Sequence, residues 1–292
     1  MDIITQKQKN DNITTNEGKE IWNTSIKRYP ELGIVEVYRL KNGFRVKGNY
    51  GGIRGTQKDE KKKQENQKKA DIRAKTKIRE LILRNNLKYH WTFHYGEIVE
   101  DREKATNDFM NFIKRLNYHI RKKENIKTVS IGPTMPYVAV MEIQPGRKEK
   151  YGDEVIHFHL ATDRFLPFWE VHEIWGHGGA WVTPYSGDVV KVATYLTKYI
   201  TKIGQEGQVR QEEQKRYLRS RGLKEPIREQ TVTSESEFQD MVSKANAHCE
   251  YEDKEEQVFA EWIQMMGYVK NDEREKRHET NKRKKILGRD NK

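Results

Sequence analysis

Val155-Ile156-His157-Phe158-His159-Leu160-Ala161 alternates residue by residue between apolar and histidine or small side chains. On a strand Ile156, Phe158 and Leu160 share one face, turned to a core, and His157 and His159 share the other. The stretch before it, Tyr137–Gln144, reads as a second strand in which Glu142 is in phase with Val138, Val140 and Gln144. Pro145–Glu154, rich in Gly, Lys and Asp, joins the two. Opposing Glu142 with His157 centres an antiparallel hairpin between residues 149 and 150, inside that loop. Directly opposed residues have Cβ atoms about 4.5–5.5 Å apart, so Glu142, His157 and His159 are expected to converge on one face. Two imidazoles and a carboxylate with no thiolate suit Mn²⁺ or Mg²⁺ and leave positions open for phosphate oxygens.

Outward from this hairpin the pattern stays regular. Lys88–Tyr95 reads as a strand with Tyr89, Trp91, Phe93 and Tyr95 on one face and His90, Thr92 and His94 on the other. A helix over about 101–123 carries Ala105, Phe109, Phe112, Ile113, Leu116 and Ile120 as one amphipathic stripe. Pro167–Trp175 is a short helix with Pro near its start, Ala180–Thr183 a short strand, and Asp188–Ile203 a helix that Asp188 is placed to cap. The order β-α-β-β-α-β-α predicts an α+β fold, an antiparallel sheet with helices on one side.

The last of these helices contains Tyr195-Leu196-Thr197-Lys198-Tyr199-Ile200-Thr201-Lys202. At about 100° per residue, Lys191, Tyr195, Lys198, Tyr199 and Lys202 fall in a stripe of about 100°, apart from the apolar Val189, Val192, Ala193, Leu196, Ile200 and Ile203. Two phenols and three ammonium groups thus share a non-core face. A phenol is a poor nucleophile near neutral pH, its pKa being about 10; nearby cations and a metal-polarised phosphate are what would make it competent. Tyr199 lies nearer the apolar stripe than Tyr195. By contrast, His172 and His177 resemble a zinc-protease pair but stand five apart, with Gly176 between them, and do not meet the i, i+4 requirement. There is also no GxxxxGK[ST] phosphate-binding loop.

Composition bounds the rest. The chain has 292 residues, 56 Lys and Arg against 44 Asp and Glu, and only 34% apolar side chains. That share is low for one compact globule, while 14 Tyr, 9 Phe and 6 Trp argue against full disorder. Cys249, the single cysteine, excludes an intrachain disulfide framework and a Cys-based zinc knuckle, and suits a reducing compartment. No apolar run approaches the roughly 20 residues of a bilayer span, and the first twenty residues lack the apolar centre of a signal peptide. The charge is uneven: residues 54–88 hold 13 Lys and Arg against 5 Asp and Glu, residues 231–262 hold 2 against 9, and residues 281–292 hold 6 against 1. A basic front, an acidic late segment and a basic tip suggest different jobs for different segments, and the net basic charge suggests a polyanion partner.

Taken in order, Tyr89-His90-Trp91-Thr92-Phe93, then Val140-Met141-Glu142-Ile143-Gln144 leading to His157-Phe158-His159-Leu160, then the eight residues from Tyr195 to Lys202 resemble the HUH endonucleases that initiate rolling-circle replication of plasmids and phages. The resemblance is to the phage and Gram-positive plasmid replication-associated proteins, covers about residues 70–225, and includes Tyr217-Leu218-Arg219-Ser220-Arg221-Gly222-Leu223. It implies an enzyme that nicks single-stranded origin DNA with a tyrosine and a divalent metal, stays linked to the 5′-phosphate and frees a 3′-OH primer. It further implies His157, His159 and Glu142 as metal ligands, Tyr195 as principal nucleophile, Tyr199 as a second, and Lys198 and Lys202 as charge-stabilising groups. His94 is either an extra ligand or a surface residue. Single-stranded and duplex origin DNA, a host or replicon helicase and a polymerase are the implied partners, without a membrane, in the cytoplasm of a bacterial host. A relaxase or transposase with the same chemistry and a non-enzymatic basic DNA-binding protein are the alternatives.

The expected organisation is a polar tail over 1–30, a hairpin and basic helix over 31–86, the endonuclease domain over 87–205 and a charged helical region over 206–292. The hairpin is Ile34–Leu40 and Phe44–Lys47 about the Asn42-Gly43 turn signal. The basic helix spans 57–86, with Ile72, Ile78, Ile82 and Leu83 apolar, and further helices are expected at Gln211–Ser220, Ser236–Asn246 and Glu252–Met266.

Overall fold

The computed structural model describes residues 20–40, 44–47, 60–126, 135–144, 155–183, 188–205, 215–244 and 262–268. In chain order the elements are β1 (Ile21–Trp22), β2 (Thr24–Tyr29), β3 (Ile34–Leu40), β4 (Arg45–Val46), α1 (Glu60–Arg84), β5 (Tyr89–His94), α2 (Arg102–Lys123), β6 (Tyr137–Gln144) and β7 (Val155–Thr162). There follow α3 (Phe168–Trp175), β8 (Ala180–Thr183), α4 (Val189–Gln205), β9 (Leu218–Arg219), β10 (Ile227–Thr231), α5 (Glu235–Lys244) and β11 (Trp262–Tyr268). The chain divides into two units, residues 55–225 and the joined segments 1–54 and 226–292.

The unit of residues 55–225 is built on a five-stranded antiparallel sheet in the order β8-β5-β7-β6-β9. Alternation along the strands gives each face its own role. Trp91, Phe93, Phe158 and Leu160 are buried against the stripe Ala105, Phe109, Phe112, Ile113, Leu116 and Ile120 of α2 and against Val171 and Trp175 of α3. Phe158 stacks on Phe109 at 4.6 Å, and Phe93 meets Phe112 at 4.8 Å and Trp175 at 5.2 Å. The Asp101 side chain accepts from the backbone N–H groups of Glu103 and Lys104 at the start of α2, a cap that stabilises a helix by about 1 kcal/mol. The Arg115 guanidinium donates to the carbonyls of Ile174 and Trp175 at the end of α3, where Gly176, at φ 69°, closes the helix. His177 therefore lies outside α3, packed on Tyr95 and Trp175, and makes no zinc-protease pair with His172.

The opposite sheet face is covered as well. Val189, Val192, Ala193, Leu196 and Ile200 of α4 are buried, and α4 packs on both the sheet and α1. On α1, Ala74, Ile78, Leu81, Ile82 and Leu83 are buried, so this basic helix also serves the core, and only its remaining faces meet solvent. The α+β class and the β-α-β-β-α-β-α order are those read from the sequence. The difference is that helices lie on both faces, because the stripes of α1 and α4 need cover and the histidine face supplies Val138 and Val140 to meet them. At the sheet edge Lys215–Ser220, expected as part of a helix, is not helical: Leu218–Arg219 is a strand that pairs with β6, and Ser220 exchanges hydrogen bonds with the Tyr137 backbone. Residues 211–214 of that expected helix lie outside the described residues.

The second unit contains a four-stranded antiparallel sheet, β10-β2-β3-β11, and the small pair β1-β4. Phe238 of α5 packs on Ile26 and Val37. Residues 21–29, read from sequence as polar tail, form β1 and β2. The expected Asn-Gly hairpin is not the pairing adopted. A turn at Pro30–Gly33, with Gly33 at φ 66°, folds β2 onto β3, and β11 takes the other edge, so Arg45–Val46 pairs with β1. Residues 41–43 lie outside the described residues. The helix expected over 252–266 is a strand from Trp262, in register with β3 from Trp262↔Leu40 to Tyr268↔Ile34; residues 252–261 lie outside the described residues. A short apolar run suits either period, and pairing with a partner more than 200 residues away decides it. The helix expected at 236–246 is α5, with residues 245–246 outside the described ones.

Candidate active site

Across the histidine face the register places Glu142 opposite His157 on β7, and His94 opposite His157 from β5. One row along, His159 stands between Val140 and Thr92, and in the next row Ala161 stands opposite His90. The Glu142 carboxylate reaches diagonally rather than straight across: its Oε2 is 2.7 Å from His159 Nε2. The Thr92 hydroxyl lies 3.3 Å from His159 Nδ1. Both His159 nitrogens are thus engaged, and a hydroxyl that can donate or accept serves either tautomer of the ring. Glu142 and His159 are buried and His157 is half-buried. Among the described residues no three His, Cys, Asp or Glu side chains stand together at metal-ligand spacing. Two of the expected ligands touch each other, and the third is one row away on the same face.

Helix α4 brings its tyrosines onto this pair. The Asp188 side chain accepts from the backbone N–H groups of Val190 and Lys191, fixing where the helix begins. Tyr199 lies flat on the His159 ring, 3.8 Å between centroids and 7° between planes. Tyr195 meets Tyr199 edge-on at 5.2 Å and His90 edge-on at 4.7 Å. The phenols differ in access: Tyr199 is 6% exposed and Tyr195 42%. Burial first, then the hydrogen bond to Tyr195 and the charges of Tyr195 and Glu142, holds the Tyr199 hydroxyl protonated far above the ordinary phenol range. Lys198 is exposed, Lys191 pairs with Asp188 at 3.4 Å, and the Lys202 side chain lies outside the described residues.

Two histidines of β5 complete the face. His94 is exposed, with its ring 6.0 Å from that of His157 and seated over Gly179, where a Cβ would fall 1.9 Å from the imidazole. The adjoining Gly178, at φ 149°, lies where a Cβ would come within 2.3 Å of the Gly96 nitrogen. Backbone cannot yield as a ring can. Gly178→Ala is therefore expected to cost about 2–3 kcal/mol in urea unfolding, whereas Gly179→Ala displaces only the His94 ring and leaves stability nearly unchanged. His90, given no role from sequence, is buried beside His159, the rings 5.6 Å apart and 11° from parallel. Burial, and after it His159, pushes the His90 imidazole down to about 3, so the ring is neutral. The alternation of β5 put His90 on this face; its depth under α4 is tertiary and has no local signal.

All these residues fall in one segment, and residues 88–204 match the model of a family described as replication-associated proteins of the ORF2 type. This segment is similar to that family. The match holds β5 through α4 and stops short of β9, which adds the edge strand. It is consistent with a rolling-circle replication initiator and associates the domain with DNA replication. No curated protein and no solved structure matches the chain. Among the described residues no helix is long and apolar enough to cross a membrane.

Proposed function

We propose that this replication-associated domain is a DNA strand transferase that starts rolling-circle replication by nicking single-stranded origin DNA. The observation that carries the reading is the packing of both α4 tyrosines against the histidine face, Tyr199 on His159 and Tyr195 beside it, with Glu142 bonded to the same histidine. Phenols at a face of imidazole and carboxylate donors are what a tyrosine-mediated phosphoryl transfer requires.

The donor set fits a divalent cation: His157, His159 and Glu142 offer nitrogen and oxygen without sulfur, and the Glu142 carboxylate lies 2.7 Å from His159 Nε2, close enough for both to reach one ion. Such an ion, bound by these three residues, would polarise the scissile phosphate. The chain's own groups account for the rest. With its proton on Nδ1, given to Thr92 Oγ1, His159 would turn the Nε2 lone pair to the ion in place of its present contact with Glu142. The Tyr195 oxygen, the more accessible of the two, attacks phosphorus. The bond from phosphorus to tyrosine oxygen forms and the bond from phosphorus to the 3′ oxygen breaks. The phenol proton is released, and the 3′ oxygen takes one up to become the primer hydroxyl. Lys198 and Lys202, three residues beyond each tyrosine, steady the charge that builds on the phosphate. Tyr199 is held protonated and in reserve, suited to a second cleavage while Tyr195 still carries DNA. Origin DNA, single-stranded and duplex, a helicase and a polymerase are the proposed partners.

The exposed cations of α1 are assigned to the DNA backbone. The double variant Lys68→Glu/Arg73→Glu is expected to flatten the plot of log affinity against log salt, by about 0.7 per lost contact on single strands. An unchanged slope would make α1 a packing helix only. The reading as a whole is tested by incubating the chain with Mn²⁺ or Mg²⁺ and single-stranded DNA spanning its replicon's origin. The expected products are an upstream fragment whose 3′-OH a polymerase extends and a downstream fragment bound to protein through its 5′-phosphate; binding without cleavage would contradict the reading.

A further inference from the structure

We infer that His90 is the positioning residue that seats Tyr195 for attack, an inference that rests on Tyr195 as the nucleophile. His90 is 8% exposed, and its Nε2 is shielded from solvent with no hydrogen-bond partner among the described residues. Its neighbours across the sheet are Ala161 and Thr183. Folded proteins rarely leave such an atom orphaned, because its desolvation is uncompensated. A phenylalanine would fill the same space without that cost, so the nitrogen calls for a partner outside the resting arrangement. Among the described residues, the hydroxyl-bearing ring that His90 touches is Tyr195, 4.7 Å away and edge-on. In the resting arrangement Tyr195 is hydrogen-bonded to Tyr199. Rotation of the Tyr195 side chain towards His90 parts the two phenols and gives the orphaned Nε2 a hydroxyl partner. Tyr199, stacked flat on His159, has no such dependence on His90.

The role separates function from stability. His90→Phe keeps the ring and its stacking but removes the nitrogen. It is expected to lower the Tyr195–DNA adduct about tenfold, to leave the Tyr199 adduct seen in a Tyr195→Phe background unchanged, and to leave the melting midpoint equal or higher. His90→Gln, which restores a polar group, is expected to recover part of the Tyr195 adduct. A folded His90→Phe protein that forms the Tyr195 adduct at the wild-type rate would overturn the inference. So would an equal loss at both tyrosines with a lowered melting midpoint, which marks a merely structural residue. No adduct at either tyrosine in the wild type would mean that the nucleophile assignment itself had failed, and this inference with it.

Discussion

Tyr195→Phe/Tyr199→Phe is expected to form no covalent DNA adduct and to release no 3′-OH, with DNA binding kept. The two rings sit 5.2 Å apart at one face, and removing both hydroxyls removes, among the described residues, every phenol that touches His159. Phenylalanine keeps ring volume, so the stack on His159 survives and loss of chemistry is not loss of fold. The single variants are expected to be unequal. Tyr195→Phe removes the accessible phenol and leaves one whose hydroxyl is buried and held protonated, so initiation should slow by at least about tenfold. Tyr199→Phe should spare the first cleavage and impair the second, measured as accumulation of adduct that is never resolved. Equal initiation rates in the two single variants would overturn this ranking.

His157→Ala/His159→Ala is expected to lower nicking on the order of a thousandfold, while affinity for DNA stays within about twofold, since binding comes mainly from lysine and arginine contacts to phosphate. The same protein should bind Mn²⁺ far more weakly in calorimetry. Thr92→Val should fall between wild type and this variant, because Thr92 contacts His159 Nδ1 and sets how the ring is held. Full nicking by the double-histidine variant would remove the metal site from the account.

The hairpin that carries this site could be read from local sequence. Strand alternation has a period of two, and a loop centre fixes which residues face each other, so Glu142 opposite His157 followed from counting and is the register observed. The α2 stripe and the Asp188 cap were equally local. What sequence could not give is set by distant partners. The diagonal reach of Glu142 to His159 is a side-chain arrangement that register alone does not fix. The pairing of β11 with β3, of β9 with β6 and of β4 with β1 joins segments whose own patterns fit more than one element. Which sheet face α1 and α4 cover is likewise invisible to a helical wheel, which shows that a stripe is apolar but not what it meets. The orphaned Nε2 of His90 is the extreme case, an atom whose meaning lies in the absence of a neighbour.

The central claim is that a tyrosine of α4 bonds covalently to DNA at the histidine face. Its most direct measurement is digestion of the protein after reaction with single-stranded origin DNA and Mn²⁺, followed by mass spectrometry of the peptide that retains a nucleotide. The account predicts a 5′-phosphonucleotide on Tyr195, with Tyr199 as a second, less populated position. Cleavage that leaves no nucleotide on the protein, or a nucleotide on a residue outside α4, would contradict it.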